Sequence, residues 1–202
     1  MGRIFYIMGK SSSGKDTIYS RLIKDKELEL HTITGYTTRP VREGEENGRE
    51  YYFVDKEQLD RLDKSGKVIE KRTYNTIYGI WYYFTVDDGN VDLNSKNYAL
   101  IGTLESYEKV REYYGKDRVI PIYIDVEDGE RLIRAISREM KQREPKYEEV
   151  CRRFIADCKD FSQERLKELN IDKYYENKDL EMCYNEIKDN ITKFIRSGEG
   201  LA

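Results

Sequence analysis

A chain of 202 residues is long enough for one α/β core with inserted segments and too short for two full domains. Charged residues make up 37% and apolar ones 38%, with a net charge of -3, so the near-neutral balance offers no electrostatic footprint for nucleic acid or an anionic membrane. No apolar stretch approaches the roughly 20 residues of a membrane span, so no membrane partner is expected. The sequence runs straight into a predicted strand and loop, so no cleavable signal is expected. Cys151 and Cys158 lie about 10 Å apart along a predicted helix, too far for an easy disulfide. With Cys183, they point to a reduced, cytoplasmic protein. The lone His31 reads as structural, which leaves little for a His-based triad or a zinc site.

The predicted elements follow in chain order. Ile4-Phe5-Tyr6-Ile7-Met8 is a buried strand, and Ile18, Leu22 and Ile23 share one face of a helix over about residues 15–26. A short strand, Leu28 to Thr34, comes next. Residues 35–54 are polar and Gly-rich and end in Tyr51-Tyr52-Phe53-Val54. A helix is predicted over 56–65, strands over 67–74 and 81–86, and a charged loop from Asp87 to Lys96. Tyr98 to Ile101 is a strand, 105–114 a helix and 119–126 a strand, with Pro121 marking an interrupted or edge position. Residues 127–167 are helical, rich in Arg and broken at Pro145. Tyr174-Tyr175 is a last strand and 180–195 a last helix. Strands alternating with helices predict a parallel sheet with helices on both faces, a three-layer α/β fold.

Residues 9–17, between the first strand and the first helix, read Gly-Lys-Ser-Ser-Ser-Gly-Lys-Asp-Thr. A strand, a glycine loop and a Lys at a helix start is how a chain cradles nucleotide phosphates. Gly9 and Gly14 let backbone N–H groups turn inward. Ser11, Ser12 and Ser13 line the loop, and Lys15 adds a point charge for the β- and γ-phosphates. Asp16 stands where Ser or Thr would hold Mg²⁺, and Thr17 follows it. ATP with Mg²⁺ is the expected ligand, with Asp16 and Thr17 as candidate metal residues.

Residues 37–53 read Thr-Thr-Arg-Pro-Val-Arg-Glu-Gly-Glu-Glu-Asn-Gly-Arg-Glu-Tyr-Tyr-Phe. Here the chain resembles the guanylate kinase family, whose acceptor segment has the form TTRxxRxGExxGxxYxF. Thr37, Thr38, Arg39, Arg42, Gly44, Glu45, Gly48, Tyr51 and Phe53 all fall in register. The resemblance continues through Val68-Ile69-Glu70, Tyr78-Gly79, an Arg-rich segment with Arg134, Arg138 and Arg153, and Tyr174-Tyr175-Glu176-Asn177. It implies a P-loop nucleoside monophosphate kinase that transfers the γ-phosphoryl of ATP to GMP. The implied acceptor site is Arg39, Arg42, Tyr51, Glu70, Tyr78, Gly79 and Ile80, and the implied catalytic cations are Lys15, Arg39, Arg134, Arg138 and Arg153. Asn177 joins the ATP side. The implied organisation is a core with the phosphate loop over 1–34, an acceptor-binding segment over 35–86, core over 87–126, a lid over 127–160 and core over 161–202. The partners are small nucleotides, and the protein is expected as a monomer or homodimer.

The chemistry of these residues agrees. Arg forks suit bidentate phosphate contact, and Tyr hydroxyls can donate to the same group. A carboxylate at Glu70 matches the adjacent N1–H and amino donors of guanine and repels the N1 acceptor of adenine. Four departures from the family pattern cover five positions. Gly35 replaces a Ser before the first phosphate Arg, and Ile80 replaces a hydroxyl that donates to guanine O6. Ile101 and Thr103 replace an Asp-x-Asp pair, and Asp16 follows Lys15. These departures keep two rivals open: a same-fold kinase with another phosphorylated acceptor, and a catalytically weak guanylate-kinase-like binding module.

Overall fold

The computed structural model describes residues 1–76 and 79–199. In chain order, β1 (Ile4–Met8) leads through the glycine loop into α1 (Lys15–Leu22). There follow β2 (His31–Thr32), β3 (Tyr36–Thr37), β4 (Tyr52–Phe53), α2 (Lys56–Lys64), β5 (Val68–Thr76), β6 (Gly79–Val86), β7 (Tyr98–Ile101) and α3 (Leu104–Tyr114). The chain continues with β8 (Val119–Asp125), α4 (Asp128–Glu139), α5 (Tyr147–Asp160), α6 (Gln163–Glu168), β9 (Tyr174–Glu176) and α7 (Leu180–Glu199).

The main sheet runs β2-β7-β1-β8-β9, with every described pairing parallel. β1 lies at its centre, and all five of its residues are fully buried. That is why the run is apolar throughout rather than alternating: both faces of a central parallel strand are covered. Ile4, Tyr6 and Met8 pack with Leu104, Tyr107 and Val110 of α3 and Leu166 of α6. Phe5 and Ile7 face the other way, onto Ile18 and Leu22 of α1 and Ile187 and Ile191 of α7. The three-layer α/β expectation therefore holds. The glycine loop leaves the carboxyl end of the central strand, the place where open α/β sheets bind ligands.

A second, smaller sheet runs β4-β3-β6-β5, with β3 and β4 parallel and the other pairs antiparallel. Its own small core is Leu59, Phe84 and Val86, with Tyr36, Val54 and Tyr82 packed against it. The helix α2 that caps it starts on a reciprocal capping box. Asp55 accepts from the Gln58 N–H, and the Gln58 side chain accepts from the Asp55 N–H. α4 and α5 are held differently. No residue of α5 is buried, and Ile133, Met140 and Ile155 are exposed. Polar contacts, not a core, dock this pair against the rest, which places it at the low-stability end of the molecule.

Three local expectations need correction. The first helix ends at Leu22, because Lys24 and Asp25 donate to carbonyls three residues back and tighten the last turn. The predicted strand from Leu28 to Thr34 is paired only at His31 and Thr32, since Glu29 adopts a left-handed φ of 48° and breaks the extension. β8 is an interior strand by order. Pro121 is tolerated because it pairs only toward β1 there; pairing with β9 starts at Tyr123.

Candidate active site

The glycine loop is shaped for an anion. Gly14 has φ 85°, and a Cβ there would lie 2.4 Å from the Asn177 side chain, so only glycine fits. Ser12 also sits at a left-handed φ of 64°, a strain of about 1–2 kcal/mol that the loop stores. Asn177 is buried and its amide Nδ2 donates to the Ser13 carbonyl at 2.8 Å. It thus braces the loop from behind, and Ser13, itself fully buried, faces inward with it.

The Arg-rich helices meet the loop from the front. Arg138 donates to the Ser12 hydroxyl at 3.4 Å and Arg153 to the Ser11 hydroxyl at 3.1 Å. Arg134 donates to Glu130 and to the Asn177 carbonyl at 3.0 Å. Arg152, one position from Arg153, is instead forked onto Glu149. The three arginines singled out from the sequence therefore all touch the loop or its brace.

Two further contacts were not foreseen. The Ser11 N–H donates to the Asp157 carboxylate at 2.7 Å, so a loop donor already holds a negatively charged oxygen. Arg131 is the largest fully buried side chain. It donates to Asp128 at 2.8 Å and to the Ser11 carbonyl at 3.2 Å, lies 3.5 Å from Asp157 and stacks on Phe154 at 4.5 Å. It is the pillar between loop, α4 and α5. Spacing carried a trace of this: Asp157 is four residues after Arg153, on the same helix face.

Across a cleft of about 350 Å³ lies the second sheet; Gly9, Ser11, Lys15 and Asp16 line one wall and Tyr51, Arg72 and Tyr74 the other. Burial pushes the Tyr51 phenol further above its ordinary value, and the protonated hydroxyl is a hydrogen-bond donor. Arg39 is 4% exposed and forks onto Glu45 at 2.6 and 2.7 Å, while the rings of Tyr51 and Phe53 stack over it at 5.4 and 5.2 Å. Glu45 also accepts from the Arg42 N–H at 2.9 Å. Arg42 is exposed. The RxxRxGE spacing is thus a turn that brings Glu45 back onto the first arginine and leaves the second in solvent.

Hydrogen bonds from Arg39 hold the Glu45 carboxyl well below its ordinary value of 4.5, at about 2. A depressed folded-state value stabilises above the unfolded value, and that stability is lost as the pH falls from about 4.5 toward 2. Wild type is expected to lose more stability over this window than Glu45→Gln. Denaturant midpoints at pH 5 and pH 3 check it, and parallel losses in the two proteins would reject the pairing.

Glu70 is 5% exposed, but it is not open: Arg72 and Thr85 both donate to it. Ile80 is 55% exposed at the start of β6, next to Gly79. Tyr78 lies outside the described residues. Thr103 caps α3, accepting from the Ser106 N–H at 3.3 Å, and Ile101 continues β7. Among the described residues no cluster of three or more metal-ligating side chains forms. Asp16 has a side chain 83% exposed and pairs with Lys15 at 3.3 Å, and Thr17 is exposed beside it. Mg²⁺ asks only for one or two carboxylates beside substrate phosphates, so this hard oxygen pair fits it. His31 is exposed on the edge strand and takes no part. The three cysteines are free. Among the described residues no helix is long and apolar enough to cross a membrane.

The comparisons with known proteins agree with this geometry. A guanylate kinase from Porphyromonas gingivalis is 30% identical over 197 residues, covering 96% of this chain and 99% of its own. The human guanylate kinase is 27% identical over 195 residues, covering 96% and 94%. The crystal structure of guanylate kinase from Anaplasma phagocytophilum shares the fold, with a TM-score of 0.65 over 98% of this chain and 86% of that one, at 21% identity. The guanylate kinase family model matches residues 1–194, and the chain belongs to the guanylate kinase family.

Proposed function

We propose that this chain transfers the γ-phosphoryl of ATP to GMP, giving ADP and GDP. The observation that carries the reading is that one cleft is lined by both the phosphate loop and the acceptor-segment residue Tyr51. ATP lies on residues 9–17, and the acceptor phosphate on Arg39, Arg42, Tyr51 and Tyr78 from the segment over 35–86. A phosphate oxygen of GMP attacks the γ-phosphorus, the bond to the β,γ-bridging oxygen breaks, and ADP leaves. No side chain serves as nucleophile. Lys15, Arg134, Arg138 and Arg153 neutralise charge on the transferring group, and closure of the lid over 127–160 excludes water.

Asp16 and Thr17 would hold a Mg²⁺ carried in with ATP, which supplies further charge neutralisation. If Asp16 is a ligand, the Mg²⁺ concentration for half activity rises in Asp16→Asn. Titration curves that superimpose on wild type would reduce Asp16 to a helix-end charge, favourable by about 0.3–1 kcal/mol. The free cysteines support a reduced, cytoplasmic setting.

A coupled ADP-release assay over GMP, dGMP, AMP, CMP and UMP tests the function. Turnover with the guanine nucleotides is expected. ADP release with none of the five would favour the binding-module reading, and preference for a pyrimidine would favour the altered-acceptor kinase.

A further inference from the structure

We propose that Arg72 is a base-reading residue, and that through it this chain recognises the 6-oxo edge of a purine acceptor more than its 2-amino group. The inference rests on the GMP reading above and names how that acceptor's base is held.

Glu70 and Arg72 are two apart on β5, so both side chains leave the same face. Arg72 Nε donates to Glu70 Oε2 at 3.0 Å and Nη2 to Oε1 at 3.3 Å, and the Thr85 hydroxyl donates to Oε1 at 2.7 Å. A carboxylate offers about four lone-pair sites, two on each oxygen. Oε1 is therefore filled and one site remains on Oε2. Guanine presents two neighbouring donors, N1–H and the 2-amino group. Only one can be accepted here, so the two-point contact implied for Glu70 is cut to one.

Arg72 offers a replacement. Two of its five N–H groups go to Glu70, and Nη1 donates to the Thr103 hydroxyl at 3.5 Å. One N–H on each terminal nitrogen is left, and the guanidinium lines the same cleft as Lys15 and Tyr51. Two such donors match the adjacent O6 and N7 acceptors of a 6-oxopurine, the pairing Arg makes with guanine in nucleic acids. The hydroxyl implied for O6 is absent at Ile80, so this contact fills a vacated role. Adenine sets an amino donor against these donors, and a pyrimidine has no N7 to complete the pair. The acceptor class that fits is a 6-oxopurine nucleoside monophosphate, with or without a 2-amino group. The competing account is that Glu70 and Arg72 form only a structural ion pair, which would affect stability and not base choice.

The test compares kcat/KM for GMP, inosine 5′-monophosphate (which lacks the 2-amino group) and AMP in wild type, Arg72→Ala and Arg72→Lys. Wild type is expected to use the inosine nucleotide within about tenfold of GMP, the span of one hydrogen bond. In Arg72→Ala, Glu70 is freed for the 2-amino group and O6 loses its donor. Use of the inosine nucleotide then falls more than use of GMP, and their ratio shifts about tenfold toward GMP. Arg72→Lys retains a cation beside Glu70 and guards against a variant that fails to fold; its ratio shifts the same way. A wild-type preference for GMP beyond tenfold, or a ratio unmoved in the variants, overturns the proposal. Calorimetric binding of the same nucleotides without ATP gives the ratio independently of turnover. Absent turnover with acceptor binding intact would overturn the kinase reading and leave Arg72 to be judged on binding. Absence of acceptor binding would overturn both.

Discussion

Lys15→Ala is expected to lower phosphoryl transfer by at least about 10²–10³-fold, the cost of removing one preorganised charge-stabilising donor from an active site. The melting temperature should barely move. Lys15 lines the cleft, and among the described residues its ammonium pairs with Asp16, whose side chain is 83% exposed. An ion pair that open to water is worth about 0–1 kcal/mol. The aliphatic stem leaves no core cavity, because the buried face of α1 is Ile18 and Leu22. The effect must therefore fall on the chemistry. A variant that melts like wild type and turns over at full rate would remove the phosphate loop from the mechanism. A variant that unfolds would contradict the claim that Lys15 serves the ligand and not the fold.

The loop and the sheet were legible in the sequence because local patterns carry them. A five-residue run as apolar as Ile4–Met8, ended by a glycine loop, reads as a strand covered on both faces, and the glycines at 9 and 14 mark a backbone that turns on itself. The acceptor segment was legible through its fixed spacing, although spacing could not say that Glu45 is what folds back on Arg39. What stayed hidden depends on long-range contact. Arg131 looks like one more charge on a helix surface, and only the docking of α4 against α5 and the loop buries it. Asp157 contacts Ser11 across 146 positions of sequence. The Glu70 and Arg72 pair was within reach of the strand period, since residues two apart share a face. Spacing alone does not show that Arg72 and Thr85 occupy the Glu70 oxygens that a base would otherwise use.

The same turn yields two arginines with separable roles. Arg39→Ala and Arg42→Ala are both expected to weaken GMP binding by about 1.5–3 kcal/mol, the worth of a charge-assisted hydrogen bond, with little change for ATP. Their effects on the fold should differ. Arg39 is 4% exposed, clamps Glu45 and packs against the rings of Tyr51 and Phe53. Its removal leaves a carboxylate only 18% exposed with the Arg42 N–H as its remaining partner. Breaking a buried pair costs about 3–5 kcal/mol, and the residual exposure of Glu45 points to the low end. About 3 kcal/mol in a chain of this size lowers the melting temperature by about 6–12 °C. Arg42 is exposed, so Arg42→Ala should stay within about 0.5 kcal/mol of wild type in stability. The double variant Arg39→Ala, Glu45→Ala separates the two jobs of Arg39. It removes the stranded carboxylate, so stability should recover by more than simple addition of the single effects, while GMP affinity stays low. Thermal melts and GMP calorimetry on wild type, Arg39→Ala, Arg42→Ala, Glu45→Ala and the double variant decide the matter. Recovery of GMP affinity in the double variant would make Arg39 a purely structural partner of Glu45, and a loss that appears on ATP would move the acceptor phosphate elsewhere in the cleft.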